Sequence, residues 1–146
     1  MTTAIIGIIG TISGAIIGAL ITYFALTWIA KRQEFNRAAA IFRSAFIEEQ
    51  RLLDPHSTAD RVGKSTYDIL ESAINRHEIA MIRFRPYLRD SERIAFARAW
   101  EAYCYHEQTD RPFLEQYFDK NLKEKEEKRK LALERIEKLL EFAKPK

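Results

Sequence analysis

The first thirty residues of the chain contain no charged side chain, and this constrains the fold more than any other feature. All 24 Lys and Arg residues and all 21 Asp and Glu residues follow Ala30. The run from Ala4 to Ala30 would extend roughly 40 Å as a helix, whereas the hydrocarbon layer of a membrane is about 30 Å thick. The sequence therefore predicts a transmembrane helix in residues 1–30 and a helical domain in residues 31–146.

The residues near the C-terminal end of this run predict its depth and orientation. Tyr23 and Trp28 lie where amphipathic aromatic rings favour the headgroup level. Lys31 and Arg32 follow directly, whereas the N-terminal flank Met-Thr-Thr has no basic side chain. Because basic flanks stay on the cytoplasmic side, we expect the N-terminus outside and the C-terminal domain in the cytoplasm. These four residues are the expected anchors at the membrane interface.

A cleaved signal peptide is the main alternative for an apolar N-terminal segment. It is disfavoured because no basic residue precedes the run, which is also longer than the about 7–15 apolar residues of a signal peptide. The basic cluster follows the run, which is the wrong side for a signal peptide. A buried hairpin of a soluble protein remains the other alternative.

Four of the five glycines lie in the apolar run, on one narrow face of the predicted helix. Gly10, Gly14 and Gly18 fall within about 60° of Gly7 around the helix, and Ala25 falls at the same angle as Gly7. In lipid, small residues stabilise helix pairs by allowing close backbone approach. These five residues therefore predict a helix-association face, although glycine is also generally common in membrane helices.

After residue 31 the apolar residues recur at helical spacing, without sustained period-2 alternation. We expect Asp54-Pro55 and Arg85-Pro86 to end two of the helices. The fold class predicted is all-α, with a single N-terminal transmembrane helix followed by a small antiparallel helical bundle. Four helices are expected in the bundle, and the first and last of them cover Lys31–Leu53 and Asn121–Ala143. The second is expected to start near Ser65, with Asp68 supporting its cap. The third is expected to be capped by Asp90 or Ser91 and to place Ile94 on its core face.

Nothing in the sequence meets the spacing that catalytic, cofactor-binding or metal sites require, so we expect neither an enzyme nor a bound cofactor or metal. His77-Glu78 begins like a zinc-protease helix, but Met81 stands where the second histidine is needed. Because His77 lies on the apolar stripe, we expect it to be a hydrogen-bonded, partly buried histidine. Cys104 and His106 lie about 200° apart on a helix, so they cannot chelate one metal together unless the helix ends between them.

The charge distribution disfavours nucleic acid as a partner. The formal net charge is only +3. The basic and aromatic run from Arg83 to Arg93 also contains Asp90 and Glu92, which favours a solvated corner between helices. The expected partners are therefore membrane lipid and, through the transmembrane helix, a second copy of the chain or another membrane protein.

Three segments of the chain carry a resemblance. They are HEIAMIRFRPYL, FARAWEAYC and the C-terminal RIEKLLEFAKPK. The chain resembles, over most of residues 35–146, short bacterial hypothetical proteins in which an N-terminal membrane helix precedes a helical cytoplasmic domain. The resemblance implies this architecture and a bacterial source, but no activity and no site.

The expected function is that of a single-pass protein of the bacterial inner membrane, a tethered interaction or scaffolding module. An oligomeric membrane-active effector, either pore-forming or membrane-disrupting, is the alternative. In that case Thr11, Thr22 and Thr27 would line a wetter path. A tethered enzyme is the third hypothesis, and it would require a pocket lined by His77, Cys104 or the arginines.

Overall fold

All the secondary structure that the computed structural model describes is helical. It describes residues 2–56, 63–105 and 114–145, without the side chains of residues 2–17, 19, 20 and 122. The all-α prediction is confirmed for this part of the chain. The helices are α1 (Thr2–Ser44), α2 (Ile47–Leu53), α3 (Thr66–Phe84), α4 (Asp90–Cys104) and α5 (Leu122–Glu141), with single 3₁₀ turns at Arg85–Tyr87 and Glu115–Tyr117.

The chain divides into two compact units, and the division falls within α1. The first unit holds α1 up to Phe35, and the second contains Asn36–Pro145. Within the described residues, no helix combines the length and the apolar character needed to cross a membrane. The transmembrane helix in residues 1–30 therefore stays a prediction.

The single helix predicted over residues 31–53 is wrong, because α1 ends at Ser44 and the next helix starts three residues later. The Ser44 hydroxyl donates to the carbonyl of Ile41 at 2.7 Å, a side-chain bond that competes with regular helix bonding. The N–H of Phe46 donates to the carbonyl three residues earlier at 3.1 Å, which tightens the turn. No Gly or Pro marks this break in the sequence.

The predicted start and end of α3 are confirmed. The Ser65 hydroxyl accepts from the Asp68 N–H at 3.1 Å, and the Asp68 carboxylate accepts from the Ser65 N–H at 3.2 Å. This reciprocal pair is a capping box, which satisfies two backbone donors that a helix start leaves open. α3 ends at Phe84, two residues before Pro86, and passes directly into the 3₁₀ turn Arg85–Tyr87. Arg85 keeps helical angles (φ −47°, ψ −40°), and the regular helix bonding stops because Pro86 has no backbone N–H to donate.

Two predictions for α4 are wrong, namely its N-cap and the residue expected on its core face. The N-cap is Arg89 rather than Asp90 or Ser91, and its backbone N–H donates to the Glu92 carboxylate at 3.0 Å. Ile94, which the periodicity placed on the core face, is 64% exposed. The apolar spacing in this helix is compatible with two neighbouring faces, and tertiary packing selects the other one.

The core of the second unit is a cluster of aromatic rings supplied by several helices. Phe42 of α1 stacks on Phe84 of α3 with 4.8 Å between ring centroids, and it meets Phe96 of α4 edge-on at 5.6 Å. α5 packs against α2, α3 and α4. The prediction of a helical bundle is therefore confirmed, and its aromatic core surrounds the polar cluster described below.

Candidate functional site

The described end of the apolar run exposes large apolar side chains. The exposed fractions lie between 62% and 67% for five of them: Ile21, Tyr23, Phe24, Leu26 and Trp28. Soluble proteins rarely expose a contiguous apolar surface of this kind without a partner. This segment of α1 is therefore one candidate site, for contact with lipid or with another protein.

The structure describes the surroundings of two of the five residues of the predicted association face. Gly18 and Ala25 are both exposed, and a Cβ added at Gly18 would meet no atom within 4 Å. The described atoms beyond its own stretch of helix backbone therefore leave room for a side chain at this position. Gly7, Gly10 and Gly14 belong to α1, but their surroundings lie outside the described residues.

The two described threonines of the apolar run bond to their own helix. The Thr22 hydroxyl donates to the carbonyl of Gly18 at 2.9 Å, and the Thr27 hydroxyl donates to the carbonyl of Tyr23 at 2.8 Å. Each hydroxyl hydrogen is thus satisfied without water. Thr11, the third threonine of the effector alternative, lies outside the described side chains.

The four predicted interface anchors include one contacting pair. The guanidinium carbon of Arg32 lies over the Trp28 ring, 5.3 Å from its centroid, which is cation–π geometry. Lys31 is exposed beside it. Tyr23 instead meets the ring of Phe24 edge-on at 6.0 Å.

A second candidate site is a polar cluster inside the bundle, centred on His77. The imidazole is fully buried, with Nε2 3.0 Å from a Glu49 carboxylate oxygen and Nδ1 2.9 Å from the Tyr103 hydroxyl. The Phe46 ring stacks on it with 4.0 Å between centroids. Because a carboxylate only accepts, Nε2–H donates to Glu49, and in the neutral tautomer Nδ1 accepts from Tyr103.

Arg76 connects this cluster to the surface. Its guanidinium donates to the second Glu49 oxygen, and its Nε donates to the carbonyl of Ala45 at 3.1 Å. Burial raises the pKa of Glu49, but hydrogen bonds from His77 and Arg76 outweigh this effect and hold the pKa below its ordinary value of 4.5. The carboxylate is therefore ionised at neutral pH, bonded to the imidazole of His77 on one side and to the guanidinium of Arg76 on the other.

The order carboxylate, imidazole, hydroxyl resembles a nucleophile relay, but the geometry is that of a structural cluster. The Tyr103 hydroxyl is buried, and burial raises the pKa of this phenol well above its ordinary value. Cavities of about 280 and 480 Å³ lie elsewhere on the described surface, and His77, Glu49 and Tyr103 line neither of them. The cluster can thus fix α2, α3 and α4 together, but it presents no reactive atom to a substrate.

The sequence predicts a hydrogen-bonded, partly buried His77, whereas the imidazole is fully buried, and it does not indicate the other members of the cluster. Glu49, Arg76 and Tyr103 come from three different helices, and the spacing along the chain does not connect them. One available signal was the position of Glu49, three residues after Phe46 and four before Leu53, on the buried side of α2. A charged residue in that register indicates a buried polar partner.

Cys104 and the basic run, which the sequence also singled out, have structural positions in the described part of the chain. Cys104 is buried, and this burial raises the pKa of its thiol to about 12. His106 lies outside the described residues. Among the residues that the structure does describe, no three His, Cys, Asp or Glu side chains are placed to hold a metal ion.

In the basic run, Arg93 forms an ion pair with Asp90 at 2.8 Å and donates to the carbonyl of Leu88 at 3.1 Å. These contacts stabilise the connection between α3 and α4.

Comparisons with known proteins add no assignment to either candidate site. No protein-family model, no curated protein and no solved structure matches this chain. What the chain does must therefore be inferred from its own residues and their contacts.

Proposed function

We propose that the chain is a single-pass protein of the bacterial inner membrane that works as a tethered interaction or scaffolding module. The exposed apolar side chains between Ile21 and Trp28 carry this proposal, together with the uncharged sequence that precedes them. Moving one such side chain out of water contributes roughly 1.5–3 kcal/mol. Five of them therefore favour an apolar environment strongly, and a bilayer offers one at this length.

The hydrogen bonds of α1 support a lipid environment. In a bilayer core every backbone polar group must bond within the segment, and a helix meets this requirement. The Thr22 and Thr27 hydroxyls also donate within the helix, so neither would carry an unsatisfied donor into lipid.

Association through the small-residue face would account for glycine at position 18, where the described neighbours leave room for a side chain. A second helix can approach the backbone closely at Gly18, because, beyond the adjacent backbone of α1 itself, no described atom lies within 4 Å of where a Cβ would be. Tethering also raises the effective concentration of the attached domains, so that weak contacts between them become populated. Self-association of α1 would thus bring helical domains together at the cytoplasmic surface.

Substitution of Gly14 by isoleucine tests the association face. We expect Gly14→Ile to lower self-association severalfold in a membrane two-hybrid assay, because the branched side chain blocks backbone approach. Ala19→Ile is the matched control, since position 19 lies about 120° around the helix from Gly7. Equal signals from the wild type and both variants would contradict association through this face.

Two further measurements test the membrane location and the effector alternative. The proposal requires the full-length chain to stay with membranes after alkaline carbonate washing, and release into the supernatant would contradict it. Expression of the full-length chain should leave the membrane potential unchanged. A collapse of the potential with the full-length chain, but not with residues 31–146, would instead favour the membrane-active effector.

A further inference from the structure

The contact between Trp28 and Arg32 creates a specific chemical surface at the end of the apolar run. Arg32 lies one turn after Trp28, and its guanidinium carbon is 5.3 Å from the centroid of the indole. An indole attracts the cation through the face of its ring. The guanidinium N–H groups lie in the guanidinium plane, which is where phosphate oxygens bind in pairs. One arginine can therefore contact the indole and a phosphate at the same time.

The charges around this pair favour an anion. Residues 31–47 contain four basic side chains and a single acidic one, Glu34. Lys31, directly beside Arg32, is exposed and adds a second positive charge close to the pair. The first thirty residues carry no charge that could oppose this surface.

The expected depth of Trp28 and Arg32 in the bilayer indicates that the phosphate belongs to a lipid headgroup. Indole rings favour the headgroup level of a bilayer, and a helix side chain leans towards the N-terminus, here towards the apolar run. Arg32 would therefore lie at the level of the lipid phosphates. A zwitterionic lipid carries its own cation next to the phosphate, whereas an anionic phospholipid presents a net negative charge to the basic pair.

We propose that Trp28 and Arg32, with Lys31, form a binding site for the headgroup phosphate of an anionic phospholipid. This inference depends on the membrane location proposed above for α1. It adds a lipid class to that location, since the site distinguishes anionic from zwitterionic headgroups. Anionic phospholipid in the cytoplasmic leaflet would then be enriched next to the protein.

Quenching of tryptophan fluorescence by brominated lipids tests the site in the full-length chain. Trp100 is replaced by phenylalanine so that Trp28 is the only tryptophan, and the protein is reconstituted in phosphatidylcholine vesicles containing phosphatidylglycerol. With either lipid brominated in turn, we expect phosphatidylglycerol to bind roughly threefold to fivefold more strongly next to Trp28. Arg32→Gln should bring this ratio close to one, and Arg32→Lys should give an intermediate ratio because it keeps the charge but loses the paired donors.

The control removes the same charge at another exposed arginine, Arg83→Gln, which should leave the lipid preference unchanged. Equal quenching by the two lipids would overturn the site, and so would a preference that survives Arg32→Gln or that Arg83→Gln also abolishes. The proposed membrane location is tested separately by carbonate washing of the same vesicles. A chain that resists washing but shows no lipid preference refutes the site alone.

Discussion

The Glu49 carboxylate is almost inaccessible to solvent, with both oxygens engaged, one by His77 and one by Arg76. The Tyr103 hydroxyl extends the same chain of bonds into α4. Taking an ion out of water costs several kcal/mol, and these bonds offset that cost only while every partner is present. Single substitutions in the cluster should therefore have larger effects than substitutions at the exposed charges around it.

Replacing Glu49 by alanine should destabilise the bundle by about 3 kcal/mol, since it leaves His77 without an acceptor for Nε2–H and removes the partner of Arg76. Urea unfolding of the full-length chain in mild detergent, followed by near-ultraviolet circular dichroism, measures the change. Glu48→Ala is the matched control, because its carboxylate is largely exposed and lies 3.8 Å from the same arginine. We expect it to cost less than about 0.5 kcal/mol. Equal effects of the two substitutions would show that the burial of the Glu49 carboxylate does not contribute to the stability of the bundle.

The lowered pKa of Glu49 predicts how stability depends on pH. Because the pKa is below 4.5 in the folded chain, the unfolded chain takes up this proton at higher pH than the folded chain does. The contribution of Glu49 is thus fully present above its unfolded pKa and is lost as the pH falls through the folded pKa. Unfolding free energies measured between about pH 6 and pH 3 should fall more steeply for the wild type than for Glu49→Gln. Parallel curves would refute an ionised Glu49 in the folded state.

The sequence predicts one member of this cluster and cannot predict the rest. His77 lies on a helical stripe of apolar residues, which is local information, and it indicates burial. The partners Glu49 and Tyr103 lie 28 and 26 positions away along the chain. Only the packing of α2, α3 and α4 brings them together, and that packing depends on the shapes of all the core side chains.

At the scale of elements, helix ends set by side-chain chemistry were predictable and those set by packing were not. Ser65 and Asp68 mark the start of α3 because the two residues bond to each other. The end of α1 at Ser44 has no such signal, since its residues can all continue a helix. Phe42, near the end of α1, and Phe46, in the turn itself, are both buried, so the packing of these two rings favours the break.

Substitution of Ser65 by alanine measures how much the capping box contributes. It removes the acceptor of the Asp68 N–H and should cost about 1 kcal/mol in the unfolding free energy of the bundle. Ser72→Ala is the matched control inside the same helix, where the hydroxyl only returns to the carbonyl of Ile69 at 2.8 Å. Because alanine has the higher helix propensity, the control should be neutral or slightly stabilising. A cost at Ser72 equal to that at Ser65 would contradict a specific role for the cap.

For the whole molecule, the sequence pattern was sufficient for the all-helical class but not for the pairing of helices. Helical periodicity is repeated along the described segments, so each helix is signalled locally. A few residues decide which helix faces pack against each other. In α4, for example, Phe96 is buried, whereas Ile94, two positions earlier, is exposed. The sharp contrast between an uncharged N-terminus and a charged remainder is a property of the sequence alone, and the proposed orientation depends on it.

Cysteine labelling tests that orientation directly, because the chain has a single cysteine that should not react. Cys104 is buried and the pKa of its thiol is raised to about 12, so a maleimide should leave the folded wild type unlabelled. With the N-terminus outside, a membrane-impermeant maleimide should label Thr3→Cys in intact cells. Lys138→Cys, at an exposed position of α5, should react only after permeabilisation. The reverse pattern would place the charged domain outside, where the basic residues after Ala30 would contradict the positive-inside bias.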